Sequence, residues 1–307
     1  MRITMMGSGG IGGYIGARLA EAGEGVTFIA RGAHLEGMRK DGLRVRSPFG
    51  NVNLERVTVT DAPAEIGPVD LVIFAVKLYD SDKAANAMLP LVGPDTRIVT
   101  LQNGIDSVDI LSRFVPRAQV IGGATYLSAY VESPGLVVHA GGVQVELGGA
   151  GDIVAEALCA ACNRVSGIDA RTVHDIDVVL WEKFAILSAF SGGTSLMRAG
   201  IGFILADPEA RIFVEQLLEE GMAVAAAAGH PMDDDFKQRA IARWTTLPCA
   251  TQSSMANDLV RGKALELAWL SGRMHTLGKE LGVQTPGHTA VYRALHLRAD
   301  GSESNSR

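Results

Sequence analysis

Two patterns in this chain could do chemistry. One is a charged pair set among apolar residues, and the other is a run of closely spaced glycines. Lys183 lies in Trp181-Glu182-Lys183-Phe184-Ala185-Ile186-Leu187, where an ammonium is costly unless it is used or paired. Desolvation lowers the pKa of such a lysine toward the range a general acid needs. Its neighbour Glu182 points elsewhere on a helix and is expected to be exposed. Glu266 is flanked by Leu265, Leu267, Ala268, Trp269 and Leu270, so its carboxylate is expected to be partly buried and to want a partner. A lysine across a cleft would serve. Ser254, Asp258, Gly262 and Glu266 step by four, which predicts a polar ridge on one continuous helix.

The glycines stand at the start of the chain. Met1–Met6 is a short apolar run, Gly7-Ser8-Gly9-Gly10-Ile11-Gly12 follows, and a helical stretch carrying Ile15 and Leu19 continues to Gly23. A strand, G-x-G-x-x-G and a helix in that order form the fingerprint of a dinucleotide-binding turn. Gly7 allows the tight turn, Gly9 lets backbone approach a pyrophosphate, and Gly12 lets the helix pack on the strand. The helix N-terminus then offers N–H groups and partial positive charge to the phosphates. A second strand, Val26–Ile29, ends in Ala30-Arg31-Gly32, where an NAD-preferring site would carry a carboxylate. Arg31 there suits a 2′-phosphate, so NADPH is the expected cofactor.

Other polar residues arrive at the same sheet edge. Val69–Val76 is a near-continuous apolar run, as expected of a parallel strand buried on both faces, and it delivers Lys77. Arg97–Leu101 delivers Gln102-Asn103-Gly104. Ligands in open α/β sheets bind beyond the carboxyl ends of strands, which makes Lys77 and Asn103 cofactor-site candidates beside Gly7–Gly12 and Arg31. Strand-like runs at 119–127, 136–139 and 143–147 are expected to extend this sheet. His139, inside the second of them, reads as structural.

With 307 residues, 47% hydrophobic and 20% charged, the chain reads as globular with two domains. The net charge of −6 and the lack of a basic stripe argue against a nucleic-acid partner. No apolar run is long enough for a bilayer span, so no membrane partner is expected and a cytoplasmic location is the default. The three cysteines are too few for a disulfide framework. Cys159 and Cys162, in an alanine-rich helical stretch, read as core thiols rather than metal ligands. After Arg171 the pattern turns helical, with stretches at 175–189, 208–228, 233–246, 253–281 and 286–297. Thr285 and Pro286 look like cap and first turn of the last.

The expected architecture is an α/β Rossmann-type domain over 1–172, an all-α domain over 173–300 with a cleft between them, and a polar, disordered tail over 301–307. Hydride reduction of a carbonyl needs a proton donor and groups that orient the substrate. Lys183 is the best donor candidate.

In this order and spacing the residues resemble the ketopantoate reductase (2-dehydropantoate 2-reductase) family over essentially the full chain. The matching pieces are Gly7–Gly12, Ala30-Arg31, Val76-Lys77, Gln102-Asn103-Gly104, Trp181-Glu182-Lys183, Ser253-Ser254-Met255 with Asp258, Glu266, and Gly282–Pro286. The resemblance implies NADPH-dependent reduction of a 2-keto acid, ketopantoate in the parent activity, which feeds pantothenate synthesis. It implies that Lys183 polarises and protonates the ketone and that Glu266 and Ser254 hold the substrate. Asn103 would lie beside nicotinamide and substrate, and Arg31 would take the 2′-phosphate. Departures fall on the substrate side. Where the family has substrate-lining asparagines, this chain has Leu187 and Ser191, and Thr251, Ala268 and Ser271 replace other polar family residues. Lost hydrogen-bonding groups change substrate preference, so a paralogue for a more apolar 2-keto acid stands as an alternative. A dehydrogenase of the 3-hydroxy acid type is a second, and a non-catalytic NADP(H)-binding sensor a third. The helical faces could make a homodimer.

Overall fold

The computed structural model describes residues 1–301 and divides the chain into two compact units, Met1–Ile176 and the part from Asp177 onward. The expected tail falls, apart from Gly301, outside the described residues.

The first unit is built on β1 (Arg2–Met6), α1 (Gly10–Glu21), β2 (Gly25–Ile29), α2 (Gly32–Asp41), β3 (Leu43–Arg46), β4 (Val52–Leu54), β5 (Thr58–Thr60) and β6 (Leu71–Phe74). It continues through α3 (Ser81–Met88), β7 (Arg97–Thr100), α4 (Ser107–Ser112), β8 (Val120–Thr125), β9 (Ser128–Ser133), β10 (Leu136–Gly141), β11 (Gln144–Leu147), α5 (Ile153–Cys162) and β12 (Asp169–Thr172). Eight strands form one sheet in the order β12-β11-β8-β7-β6-β1-β2-β5. From β8 to β5 neighbouring strands run parallel. The chain starts in the middle, moves outward through β2 and β5, then crosses back to β6 on the other side of β1. That reversal makes a switch point beyond the carboxyl ends of β1 and β6. The apolar run of β6 is buried on both faces, with Leu71 and Ile73 in one core and Val72 and Phe74 in the other.

A second sheet, in the order β4-β3-β10-β9, was not expected. The run at 136–139 belongs here, paired with β3 and β9, and not to the main sheet. Only the runs that became β8 and β11 extend the main sheet. His139 packs within the first unit, stacked on Tyr14 at 4.0 Å and bonded to Ser47 Oγ at 2.9 Å and Gly142 O at 2.8 Å. Its role is structural. Cys159 and Cys162 are buried in α5, and burial pushes their thiols up to about 11 and about 12, so both stay protonated at neutral pH.

The second unit is helical: α6 (Ile176–Met197), α7 (Ile201–Ala206), α8 (Pro208–Ala227), α9 (Phe236–Thr245), α10 (Ser254–Val260), α11 (Ser271–Leu281) and α12 (Pro286–Leu295). The stretch expected as one helix from Ser253 to Leu281 is broken. α10 ends because Gly262 takes a left-handed φ of 64°. Gly262 N then donates to Leu259 O at 3.2 Å and Lys263 N to Asp258 O at 2.9 Å, the two bonds of a Schellman cap. The ridge Ser254-Asp258-Gly262-Glu266 is therefore not one helical face.

The start of α12 also differs from expectation. Pro286 does occupy its first turn, but the Thr285 side chain makes no cap bond. Instead Glu220, buried on α8, accepts from Gly287 N at 2.7 Å, His288 N at 2.9 Å and Gln216 Nε2 at 2.9 Å. The carboxylate neutralises the positive end of α12 and satisfies donors that would otherwise be buried unpaired. His288 beside it bonds Leu217 O at 3.0 Å, and its burial pulls its pKa down to about 4. Replacing Glu220 with Ala leaves two buried N–H groups without acceptors, a loss of roughly 2–4 kcal/mol. Chemical denaturation should show that loss in Glu220→Ala and a smaller one in Glu220→Gln, whereas equal stability of all three proteins would exclude the cap.

Candidate active site

In the first unit the strand registers place four loops at one edge. Met6 pairs with Ile29 and Phe74, and Phe74 pairs with Thr100. The loops that begin at Gly7, Ala30, Ala75 and Leu101 thus leave the sheet side by side. They carry the glycine turn, Arg31, Lys77 and Asn103.

The turn uses its glycines differently at each position. Gly7 has φ 98°, and a Cβ there would lie 2.7 Å from Val76 Cγ1. A Cβ on Gly12 would clash with Gly7 O, so the first turn of α1 can rest on the end of β1 only without one. A Cβ on Gly9 would meet nothing within 4 Å, leaving open space where a pyrophosphate would approach. Gly10 instead admits the backbone of β9, since its Cβ would clash with Ala129 O. Gly13 likewise admits the second sheet, with Val137 Cγ2 at 2.9 Å from its Cβ position.

Ser8 is buried, and its N–H and Oγ–H both go to Ile29 O, at 3.1 and 2.9 Å. The donors left to a ligand are the N–H groups at the start of α1, ahead of the Gly13 N to Gly9 O bond of 2.7 Å. Those belong to Gly10, Ile11 and Gly12, with the Gly9 N–H just ahead of them. Arg31 is exposed at the N-cap of α2, so a guanidinium and a helix N-terminus coincide. Lys77 leads into a short turn of 3₁₀ helix, and Asn103 is half-buried before Gly104, whose φ is 80°. Gln102, not singled out from sequence, donates to Val76 O at 3.0 Å and Ser81 Oγ at 2.8 Å, tying the Lys77 and Asn103 loops together. His34, also not singled out, bonds the turn itself, with Nε2 2.9 Å from Ser8 O.

In the second unit Lys183 is 7% exposed on α6 and Glu266 is 5% exposed at the start of a 3₁₀ turn, Leu267–Trp269. Burial lowers the Lys183 pKa to about 8; the Glu266 carboxylate opposes that shift, and the Arg243 guanidinium adds to it. The ammonium is therefore largely kept at pH 7 yet gives up its proton easily. Arg243 lies on α9, which lies along α6: Arg239 reaches Glu182 at 3.5 Å, and Trp244 meets the Phe190 ring at 5.9 Å. Sequence gave no signal for Arg243, which is one of many exposed arginines until α9 meets α6. Glu182 is half-buried, less exposed than its place on the helix suggested.

Ser254 is the exposed first residue of α10, and a relay of hydroxyls fixes it. Ala256 N donates to Ser253 Oγ at 3.0 Å, and Ser253 Oγ lies 3.0 Å from Thr194 Oγ1, which donates to Phe190 O at 2.7 Å. The start of α10 is thus pinned to the helix that bears Lys183. Leu187, one turn on from Lys183, is half-buried. Ser191 is buried, and its hydroxyl makes no hydrogen bond within the described residues. No group of three potential metal ligands occurs among the described residues, and no described helix is long and apolar enough to cross a membrane.

An ionisable donor of this kind predicts a basic limb in the pH profile. For a carbonyl substrate kcat/KM should fall as pH rises through about 8, where Lys183 loses its proton. Lys183→Ala should lower kcat by roughly 10²–10⁴-fold, and a profile flat to pH 10 would exclude Lys183 as the acid. Gly9→Ala should fold normally but bind dinucleotide poorly, whereas Gly12→Ala should lose stability; thermal melts and cofactor titration separate the two.

Comparison with known proteins gives a consistent picture. The family model described as "Ketopantoate reductase PanE/ApbA" matches residues 3–152, and "Ketopantoate reductase PanE/ApbA C terminal" matches residues 175–299. The chain is 32% identical to the 2-dehydropantoate 2-reductase of Archaeoglobus fulgidus, over 99% of this chain and 98% of that one. A crystal structure of 2-dehydropantoate 2-reductase from Geobacter metallireducens superposes with a TM-score of 0.91 at 30% identity, covering 97% of this chain and 99% of the other. A ternary structure of D-mandelate dehydrogenase with NADH and anilino(oxo)acetate has a TM-score of 0.88 at 25% identity, covering 97% and 98%.

Proposed function

The chain belongs to the ketopantoate reductase PanE/ApbA family of NADP-dependent oxidoreductases acting on CH–OH, and from that premise we propose that it reduces a 2-keto acid to a 2-hydroxy acid with NADPH. The observation that carries this reading is the buried Lys183, poised near pH 8 in the field of Glu266. When bound, the nicotinamide supplies the hydride. Lys183 donates a proton to the carbonyl oxygen, placing the positive charge where negative charge develops. Glu266 holds Lys183 protonated and would accept a hydrogen bond from the ketopantoate hydroxyl, and Ser254 orients the substrate. Gly10, Ile11 and Gly12 bind the pyrophosphate through backbone N–H groups, with Gly7 and Gly9 shaping the approach. Arg31 takes the 2′-phosphate, and Lys77 and Asn103 complete the cofactor edge.

Ketopantoate, whose reduction serves pantothenate synthesis, is the first substrate candidate. Leu187 and Ser191 favour a second reading, a 2-keto acid with a more apolar side chain. Neither residue presents an amide to a substrate hydroxyl, and an unmet substrate hydroxyl costs selectivity. The likeness to a D-mandelate dehydrogenase points the same way. A homodimer and a cytoplasmic setting fit a soluble biosynthetic role and belong to the same proposal.

A panel of 2-keto acids assayed by NADPH oxidation decides the substrate. Ketopantoate should give the highest kcat/KM; a clearly better aryl or branched-alkyl 2-keto acid would establish the second reading. Arg31→Asp should weaken NADPH binding by roughly tenfold or more, the loss of one charge-assisted phosphate contact, and leave NADH binding little changed. Equal losses for both cofactors would remove Arg31 from the 2′-phosphate site.

A further inference from the structure

The phosphate-binding turn of the first unit is held by a residue that the proposed reaction does not use. His34 lies in the first turn of α2, three residues after Arg31. Its Nδ1 receives the Gly135 N–H, at 3.2 Å, from the connection between β9 and β10. A backbone N–H can only donate, so Nδ1 is the bare nitrogen of a neutral ring and Nε2 carries the hydrogen. Burial favours the same neutral form, lowering the His34 pKa against the smaller opposing effect of the Ser8 bond. The Nε2–H therefore donates to Ser8 O, 2.9 Å away.

That bond fixes more than Ser8. The Ser8 carbonyl and the Gly9 N–H belong to one planar trans peptide and point in opposite directions. Ser8 N–H and Oγ–H are already spent on Ile29 O, so they hold the front of Ser8 to β2 but make no bond to the Ser8–Gly9 peptide. His34 sets that plane. With the carbonyl turned to His34, the Gly9 N–H turns away from it, on the residue whose Cβ position is open for 4 Å.

We propose that His34 is a positioning residue that orients the Ser8–Gly9 peptide so that the Gly9 N–H donates to the cofactor pyrophosphate. The inference rests on the reading of this turn as the NADPH site. It also joins two subsites, because Arg31 and His34 share one helical turn, closed by Leu35 N to Arg31 O at 3.3 Å. Gly135 couples that turn to the second sheet, which reaches the same loop through Gly10.

Dissociation constants of NADPH and of adenosine 2′-monophosphate, measured on the full-length wild type, His34→Ala and His34→Gln, test this. Adenosine 2′-monophosphate has the group expected at Arg31 but no pyrophosphate. His34→Ala should weaken NADPH roughly tenfold or more and change adenosine 2′-monophosphate binding by less than about twofold. His34→Gln, whose amide can donate to Ser8 O, should recover most of the NADPH affinity. Unchanged NADPH binding in His34→Ala overturns the proposal. So does a parallel loss of both ligands, which would mark collapse of α2, or a glutamine variant no better than alanine. Should the alanine variant not fold, His34→Asn, too short to reach Ser8 O, provides the same contrast with glutamine. Wild type that binds neither ligand would instead sink the dinucleotide reading itself.

Discussion

A lysine ammonium taken out of water must lose its proton or be held by charge placed nearby, and Lys183 is held between those outcomes. Burial drives the proton off. Glu266 keeps it on, and Arg243 shifts the balance back. Much of the second unit serves that balance. The break after α10 at Gly262 lets the chain turn, so that Glu266 begins a separate buried stretch instead of continuing an exposed helical ridge. α9 brings Arg243 alongside α6, and the Thr194–Ser253 bond ties the start of α10 to the same helix. Glu220, capping α12 from α8, fixes the start of a helix whose Val291 packs against Gly192 of α6.

The first unit works under a different constraint, the close approach of backbone to backbone. α1 starts directly on the end of β1 because Gly12 meets Gly7 with no Cβ between them. β9 covers the start of α1 because Gly10 allows it. The consequence is a turn packed between β1 and the second sheet, with the first N–H groups of α1 left without helical acceptors before any ligand arrives. Preorganised donors bind anions without the cost of ordering the loop first.

What could be read from sequence follows from the range of the physics involved. The dinucleotide turn was legible because the strand, the glycine spacing and the helix follow one another within about twenty residues, although the contacts of Gly7 with Val76 and of Gly10 with Ala129 are long-range. The two-sided burial of β6 was legible because a parallel strand leaves no polar alternation. The second sheet was not, since one of the two partners of β10 is β3, some ninety residues earlier, and its valines suit either sheet equally. The helix break at Gly262 was within reach, as a glycine between Arg261 and Lys263 is a cap signal, but the four-residue spacing of polar side chains outweighed it. Thr285 had the composition of a cap, yet Glu220 took the position from a distant helix. Lys183 and Glu266 were found through their apolar surroundings. Arg243 and His34 were not, because only their tertiary neighbours distinguish them.

At the positions proposed to face substrate, Leu187 and Ser191 continue α6 without presenting an amide. In the proposed reading, chemistry and specificity sit on neighbouring turns of α6, so one can be altered with the other intact. Burial, and not substrate, tunes Lys183. An NMR titration of ¹³C-labelled lysine in the ligand-free protein, with Lys183 assigned by its loss in Lys183→Arg, measures this directly. A midpoint near pH 8 is expected, moving down in Glu266→Gln and up in Arg243→Ala. A midpoint at the ordinary lysine value of 10.5, indifferent to both substitutions, would contradict it.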